Sequence, residues 1–288
     1  MLLNVWAGDD PRSFGRSLQS VFNQVDVKVS LLIVTDGELT NELNQVISKF
    51  EGMSNSHFSL KVITNQTQHG LWHVRNVGLV ASNSELIALH DADDVMHPRR
   101  LITQLRYHQK HYCDVLGSSI VEFDSMSEKI LGARAAETDI EAIRDQLRHI
   151  NPIVHSSVML RRQSVLDVGG YRDVHLAEDY DLWIRMDNAH FELHNTEEYL
   201  LAFCRDAEFF SRRGGLRFLE SELYLWRLKR SSNLSSPFLG IPTFIFRCLY
   251  RVGPSFSRKA VHTRGLNTAP LTIDITELKE FLVTEKSI

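Results

Sequence analysis

The chain has 288 residues, 43% of them hydrophobic and 24% charged, with a formal net charge of −4. That is enough apolar material for one large α/β domain or two modest ones, and a slightly acidic balance gives no general case for nucleic acid as a partner. Cys113, Cys204 and Cys248 are odd in number, far apart and without zinc spacing, which speaks against a disulfide framework and for a cytosolic protein with free thiols.

Met1–Trp6 reads as a short strand, and its start turns polar at Asn4 and Gly8, so no signal peptide is expected. Asp10-Pro11 has the form of a helix start, an N-cap acid followed by proline. Phe14, Leu18, Val21 and Phe22 then recur at helical spacing and should face the core. Val29–Val34 is a second strand, ending at Thr35-Asp36-Gly37. A helix follows through Leu43, Val46, Ile47 and Phe50, then a third strand over Leu60–Ile63 and a short helix over His73–Ala81. Glu85–Leu89 is a fourth strand, and it runs into Asp91-Ala92-Asp93-Asp94. Pro98 opens another helix, with Leu101, Leu105 and Tyr107. This order predicts an α/β fold with a mostly parallel sheet flanked by helices. Ligands of such sheets bind beyond the carboxyl ends of the strands. Trp6-Ala7-Gly8-Asp9, Asp36, Asn65 and Asp91 all lie at such ends and should converge on one crevice.

Between Cys113 and Leu201 strands and helices mix, with Ile153–Leu160 strand-like and Gly169-Gly170-Tyr171 a turn. From Arg217 onward Leu219, Leu223 and Trp226 mark a helix. Phe238–Tyr250 is apolar but broken by Gly240, Pro242 and Arg247, and it falls short of the ~20 apolar residues of a membrane span. Its Phe244, Phe246, Leu249 and Tyr250, with Arg247, Arg251, Arg258 and Lys259, suit an interfacial anchor. Arg205–Arg264 holds twelve Lys/Arg against four Asp/Glu. That basic stretch is either a solvated surface or a face for a membrane or a phosphorylated lipid.

Two acidic clusters carry the chemistry. A strand ending in Asp-x-Asp offers Asp91 and Asp93 on one side of the chain, as hard-oxygen ligands for Mg²⁺ or Mn²⁺ bridging to phosphate. Glu178-Asp179 stands just before an amphipathic segment, Tyr180–Arg185, and supplies a carboxylate base to set opposite. Each has an ordinary alternative, a strand-end turn for the first pair and acids complementing a helix dipole for the second.

Together these segments resemble inverting glycosyltransferases of family 2, with the GT-A (Rossmann-like) fold, from about Leu3 to Glu222. Val5–Pro11 with Ser17–Gln24 is similar to the family's first strand and helix, and Ile33-Val34-Thr35-Asp36-Gly37 to its VDDG segment. Gly70-Leu71 with Val74–Gly78 resembles GL..ARN.G, and His90–Asp94 the metal motif. Asn151–His155, Gly169–Tyr171 and Glu178–Arg185 resemble the acceptor-side signatures. Arg212-Arg213-Gly214-Gly215 is similar to a branch that builds bacterial surface polysaccharides. Thr35 stands where the family often has another acid, and Phe203-Cys204-Arg205-Asp206 stands where it often has a metal-binding histidine.

The resemblance implies a nucleoside-diphosphate sugar, UDP-linked by preference, as donor. It implies Mn²⁺ or Mg²⁺ on Asp93 and Asp91, Asp36 against the base, Trp6 stacked on it, and Asp9 and Arg75 in the same donor site. Trp6 has core packing, and Arg75 an ordinary ion pair, as alternatives. Asp179 is the expected base, with Glu178 behind it. His155, Trp183, Arg212 and Arg213 fall to the acceptor or phosphate side. His155 could equally be a buried, hydrogen-bonded histidine, and Trp183 either core or a platform for a sugar ring. The implied acceptor is a polyprenyl-diphosphate-linked oligosaccharide of O-antigen, capsule or exopolysaccharide synthesis. Residues 1–112 would then bind the nucleotide sugar, 113–215 the acceptor, and 216–288 would form a basic helical extension open to membrane contact. The enzyme would be cytoplasmic and peripheral on the inner face of the membrane. The rival readings are a haloacid-dehalogenase-type phosphatase using Asp91 and Asp93, and a nucleotide-sugar-binding protein without turnover.

Overall fold

The structure, a computed structural model, describes residues 1–127, 129–205, 209, 215–232, 234 and 237–252. It opens with strict alternation: β1 (Leu2–Trp6), α1 (Pro11–Phe22), β2 (Val29–Asp36), α2 (Asn41–Gly52), β3 (Phe58–Thr64), α3 (Leu71–Ala81) and β4 (Leu86–Asp91). Helix α1 starts where the sequence places it, with the Ser13 N–H donating to Asp10 Oδ2 at 2.8 Å and proline at its first position. Strands β3-β2-β1-β4 lie side by side, and all their pairings are parallel. The period-two pattern of β1 splits its side chains between two apolar layers. Leu3 and Val5 meet Phe14, Leu18 and Phe50 on one face. Leu2 meets Val74, Leu79 and Ile87 on the other.

The second half comprises β5 (Val95–Met96), α4 (Arg100–Lys110), β6 (Val115–Asp124), β7 (Ile130–Arg134) and α5 (Ile140–Gln146). These are followed by a 3₁₀ turn (His155–Ser157), β8 (Met159–Arg161), α6 (Arg162–Asp167), α7 (Glu178–Asn188) and β9 (Leu193–Arg205). The sheet continues β4-β8-β6-β9-β5, with β7 beside β6. Here β8 runs antiparallel to both β4 and β6, β7 antiparallel to β6, and β5 antiparallel to β9, while β6 and β9 are parallel. The sheet is therefore mixed rather than mostly parallel. The expected strand over Ile153–Leu160 is in fact the 3₁₀ turn followed by the short β8. Its apolar run is explained by burial, since Ile153, Val158 and Leu160 are all in the core. Because β8 pairs with β4 on one side and β6 on the other, the two halves share one sheet.

Two antiparallel-looking helical segments close the described chain, α8 (Leu216–Ser231) and α9 (Pro237–Val252). They pack through Trp226 and Phe244, ring centroids 5.3 Å apart. Of the anchor expected here, Arg247 and Arg251 turn inward to the buried Glu222. Among the described side chains of α9, the exposed apolar ones are Ile241, Ile245, Phe246, Leu249 and Val252. Arg258 and Lys259 lie outside the described residues. No helix among the described residues is long and apolar enough to cross a membrane.

Candidate active site

A cavity of about 460 Å³ opens beyond the end of β4, and both acidic clusters reach it: Asp91 from the strand, Glu178 and Asp179 from the first turn of α7. Arg75 of α3, 4% exposed, spans between them. Its Nη1 donates to Glu178 Oε1 at 2.6 Å, and its Nη2 lies 3.8 Å from Asp91 Oδ1. Burial alone would weaken the Arg75 cation, but Glu178, Asp91, Tyr171 and Asp179 outweigh it and hold the guanidinium above its ordinary pKa. Asp179 is half-buried and oriented at both oxygens. Asn151 Nδ2 donates to Oδ2 at 2.7 Å, and the Tyr180 N–H to Oδ1 at 2.7 Å. Just ahead of α7, Leu176 holds a left-handed φ of 52° in the cavity wall, a strained setting for a side chain with a Cβ.

Behind this wall, two sequence signatures explain each other. Asn76 of α3 reads the backbone of Tyr171 at both ends, donating to its carbonyl and accepting from its N–H, each at 2.8 Å. Such close approach is possible because residue 170 is glycine: at φ 66°, a Cβ there would fall 2.4 Å from Asn76 Oδ1. Tyr171, so placed, lies beside the Arg75 guanidinium, 5.4 Å from ring centroid to Cζ. Its hydroxyl also meets His155 Nε2 at 3.0 Å. His155 Nδ1 is 4.0 Å from Asp91 Oδ1. Burial, then Arg75 and Arg100, push the His155 pKa well below its ordinary value, so the ring is neutral. It is thus both a buried, hydrogen-bonded histidine and part of the cavity wall. Trp183 is core, with no exposed surface. Helix α7 is buried on every side from Tyr180 to Asp187, so Trp183 packs behind His155, ring centroids 6.4 Å apart. It presents no face to a sugar, and the platform expectation fails.

Asp93 is half-buried and does not line the cavity. Asp94 beside it is fully buried, its Oδ1 accepting the Cys204 N–H at 2.8 Å. Burial, then the charges of Asp93 and Asp91, raise the Asp94 pKa well above the carboxylate range. Among the described residues no three side chains gather as a complete metal site. Two carboxylates at a strand end, one of them 39% exposed to the cavity, suit a small divalent ion that takes its other ligands from a bound phosphate.

The remaining donor-side residues sit at neighbouring strand ends, outside the cavity wall. Trp6 pairs with Asp36 in the β1–β2 register. Trp6 is 43% exposed, so it is not core. Its ring lies so close over Gly8 that a Cβ there would meet it at 2.2 Å. The Trp6 N–H donates to Asp9 Oδ2 at 2.9 Å and closes that turn. Asp36 accepts from the His69 N–H at 2.7 Å and from Gly70 at 3.0 Å, fastening the loop before α3. Arg212 and Arg213 lie outside the described residues. Sequence reasoning did not single out Asn151 and Tyr171 as site residues. Both stand inside the Asn151–His155 and Gly169–Tyr171 signatures, which are the signal the sequence holds for them.

The chain matches Glycosyl transferase family 2 over residues 11–170. It is 25% identical over 256 residues, 88% of this chain and 94% of the relative, to the amylovoran biosynthesis glycosyltransferase AmsE of Erwinia amylovora. It is 26% identical over 223 residues, 77% and 80% of the two chains, to the UDP-Gal:alpha-D-GlcNAc-diphosphoundecaprenol beta-1,3-galactosyltransferase of Escherichia coli. The solved structure of S. aureus TarS 1-349 in complex with UDP-GlcNAc superposes with a TM-score of 0.66 at 15% identity, covering 98% of this chain and 77% of that one.

Proposed function

The chain belongs to glycosyl transferase family 2, and on that premise we propose that it moves a hexose or N-acetylhexosamine from a nucleoside-diphosphate sugar, UDP-linked by preference, to a polyprenyl-diphosphate-linked oligosaccharide in surface-polysaccharide synthesis. One observation carries this reading: Asp91 at the end of β4 and Asp179 in the first turn of α7, far apart in sequence, line a single cavity. Asp179 takes the proton from an acceptor hydroxyl as its oxygen attacks the anomeric carbon. The bond from that carbon to the diphosphate oxygen breaks on the opposite face, so a single displacement inverts the centre. The hydrogen bond from Asn151 fixes one Asp179 oxygen and leaves the carboxylate aimed. Arg75 brings positive charge beside Asp91, where the diphosphate would lie. A Mg²⁺ or Mn²⁺ ion, when bound, would be held by Asp91 and Asp93 and would offset the charge of the departing diphosphate. Trp6 and Asp36 would take the base and Asp9 support their turn.

The named substrates of the Escherichia coli relative and the nucleotide sugar bound by TarS support this donor and acceptor class. Such an acceptor would put the enzyme on the cytoplasmic face of a membrane, with Phe246, Leu249 and Val252 of α9 available to touch lipid. Membership of the family removes the phosphatase reading of Asp91 and Asp93. The test is a donor screen by nucleoside-diphosphate release, with and without metal, on wild type and Asp179→Asn. The variant should bind donor normally and lose at least ~10²-fold in transfer rate. Unchanged turnover in Asp179→Asn would sink the assignment, and a wild type that binds donor without turnover would leave the binding-protein reading.

A further inference from the structure

Leu176 fits its own backbone badly. The described residues at a left-handed φ are glycines, Asp26, His190 and Leu176. Aspartate and histidine tolerate that region, whereas a bulky apolar side chain there is an outlier. The local turn makes the mismatch plain. The Ala177 N–H donates to the Val174 carbonyl at 3.0 Å, which makes Leu176 the third residue of a β-turn. At a positive φ that place is normally taken by glycine or asparagine. The neighbours hold the turn where it is. Val174 and Ala177 are both in the core, and the His175 carbonyl accepts from the Ser221 hydroxyl of α8 at 2.9 Å. Leu176 itself is 39% exposed, in the cavity wall. A strained residue whose side chain is not used for packing points to a use for that side chain where it stands.

We propose that Leu176 is the platform for the apolar face of the acceptor's reacting sugar, an inference that rests on the transferase reading above. Leu176 stands three residues before Asp179, so their Cα atoms are at most about 11 Å apart. A ring lying on it has its hydroxyls within reach of that carboxylate. The large apolar residues exposed in the wall, among the described residues, are Leu71, Ile150 and Leu176. Ile150 comes to the same carboxylate through its neighbour Asn151, which donates to Asp179 Oδ2 at 2.7 Å. Two aliphatic side chains thus flank the proposed base. A pyranose has C–H groups on its faces and hydroxyls around its edge, so it can cover such side chains while its edge meets polar groups, and covering them is favourable. A prenyl chain instead asks for continuous apolar surface, which a wall that also bears Asp91, Glu122, Glu178 and Asp179 does not offer.

The test reads binding by methyl NMR. The full chain, with labelled leucine and isoleucine methyls and saturated with UDP and Mg²⁺, is titrated with methyl α- and β-glycosides of glucose, galactose and N-acetylglucosamine. The Leu176 signals are assigned by their loss in Leu176→Ala. We expect at least one glycoside to shift Leu176 and Ile150 together without displacing UDP. In Leu176→Gly that glycoside should bind about tenfold more weakly, read on Ile150. The same variant should melt no lower than wild type, because glycine relieves the left-handed strain. Binding lost while stability is kept separates a sugar contact from a packing role. The platform is wrong if no glycoside moves Leu176, if a glycoside displaces UDP, or if Leu176→Gly binds it unchanged or melts well below wild type. It is also wrong if octyl β-glucoside moves Leu176 and no methyl glycoside does, since the side chain would then serve lipid. Because binding is read without turnover, a chain that transferred no sugar would overturn the proposed reaction alone.

Discussion

Glu178 and Asp179 are neighbours in sequence with opposite employment. Glu178 is 9% exposed and bound to a guanidinium that is itself buried, whereas Asp179 is half-buried, lines the cavity and accepts from the Asn151 amide and the Tyr180 N–H. Removing one partner of a buried ion pair strands the other charge, typically at a cost of about 3–5 kcal/mol. Glu178→Ala should therefore destabilise the fold by about 3 kcal/mol, the lower end because the cavity admits water to Arg75. Urea unfolding should show that loss, and a midpoint as high as wild type would mean that Arg75 is not held by Glu178. Asp179→Asn keeps the shape of the side chain but offers one acceptor oxygen to the Asn151 and Tyr180 donors, so thermal melting should show a loss of about 1 kcal/mol while transfer is lost. The adjacent acids were legible in the sequence as a pair. The resemblance favoured Asp179 over Glu178 as base, but the pairing of Glu178 with Arg75 was not legible, because it depends on which carboxyl at the start of α7 faces Arg75, and that is a matter of helix rotation. Trp183 was illegible for a related reason. Its segment alternates polar and apolar residues, but the polar ones, Asp181 and Arg185, are buried as a pair, with Arg185 Nη2 2.7 Å from Asp181 Oδ2. A helix buried on both faces thus imitates an amphipathic one.

Between elements, the junction of α3 with the Gly169-Gly170-Tyr171 turn positions the cavity wall. Asn76 replaces a partner strand for Tyr171, and Gly170 makes room for it. Gly170→Ala combines a left-handed residue, costing roughly 1–2 kcal/mol, with a Cβ in the place of the Asn76 amide. It should lower stability by at least about 2 kcal/mol. It should also weaken donor binding, since Tyr171 flanks both Arg75 and His155. Calorimetric melting with UDP titration checks both, and a variant as stable as wild type would show that the turn can relax without Asn76. The parallel half of the sheet was readable because each strand there is followed by its own helix, and the caps and spacings agree. The other half was not. β8 has three residues, and it is a strand only because β4 and β6 flank it. β9 bulges out Glu197 and Glu198 where its register with β6 shifts. Pairings of that kind are set by tertiary neighbours rather than by local pattern.

At the scale of the molecule, α8 and α9 are tied to α7, the helix that carries the proposed base Asp179. Tyr180, the residue after Asp179, donates from its hydroxyl to the Leu147 carbonyl at 2.6 Å. Lys229 of α8 in turn donates to that hydroxyl at 3.1 Å and to the Arg148 carbonyl at 3.3 Å. Its ammonium lies 4.7 Å from the Tyr180 ring centroid, with Arg247 over the same ring at 5.7 Å. Burial first, and Arg247 second, take the Lys229 pKa from 10.5 to about 7. The sign of the linkage follows. Between about pH 7 and 10.5 the unfolded chain binds a proton that the folded chain does not, so stability from this group rises with pH across that window. Below about pH 7 the folded protein carries the buried cation and its full desolvation penalty. Lys229→Met removes the cation while keeping an apolar stem against the Tyr180 ring. It should stabilise the protein at about pH 6.5 and lose most of that advantage by about pH 9.5, where wild type holds a neutral amine. Denaturant midpoints at the two pH values decide it. A Lys229→Met shift of the same size at both would mean that the lysine keeps its charge in the fold, and that the link from α8 to α7 is an ordinary ion-dipole contact rather than a titrating one.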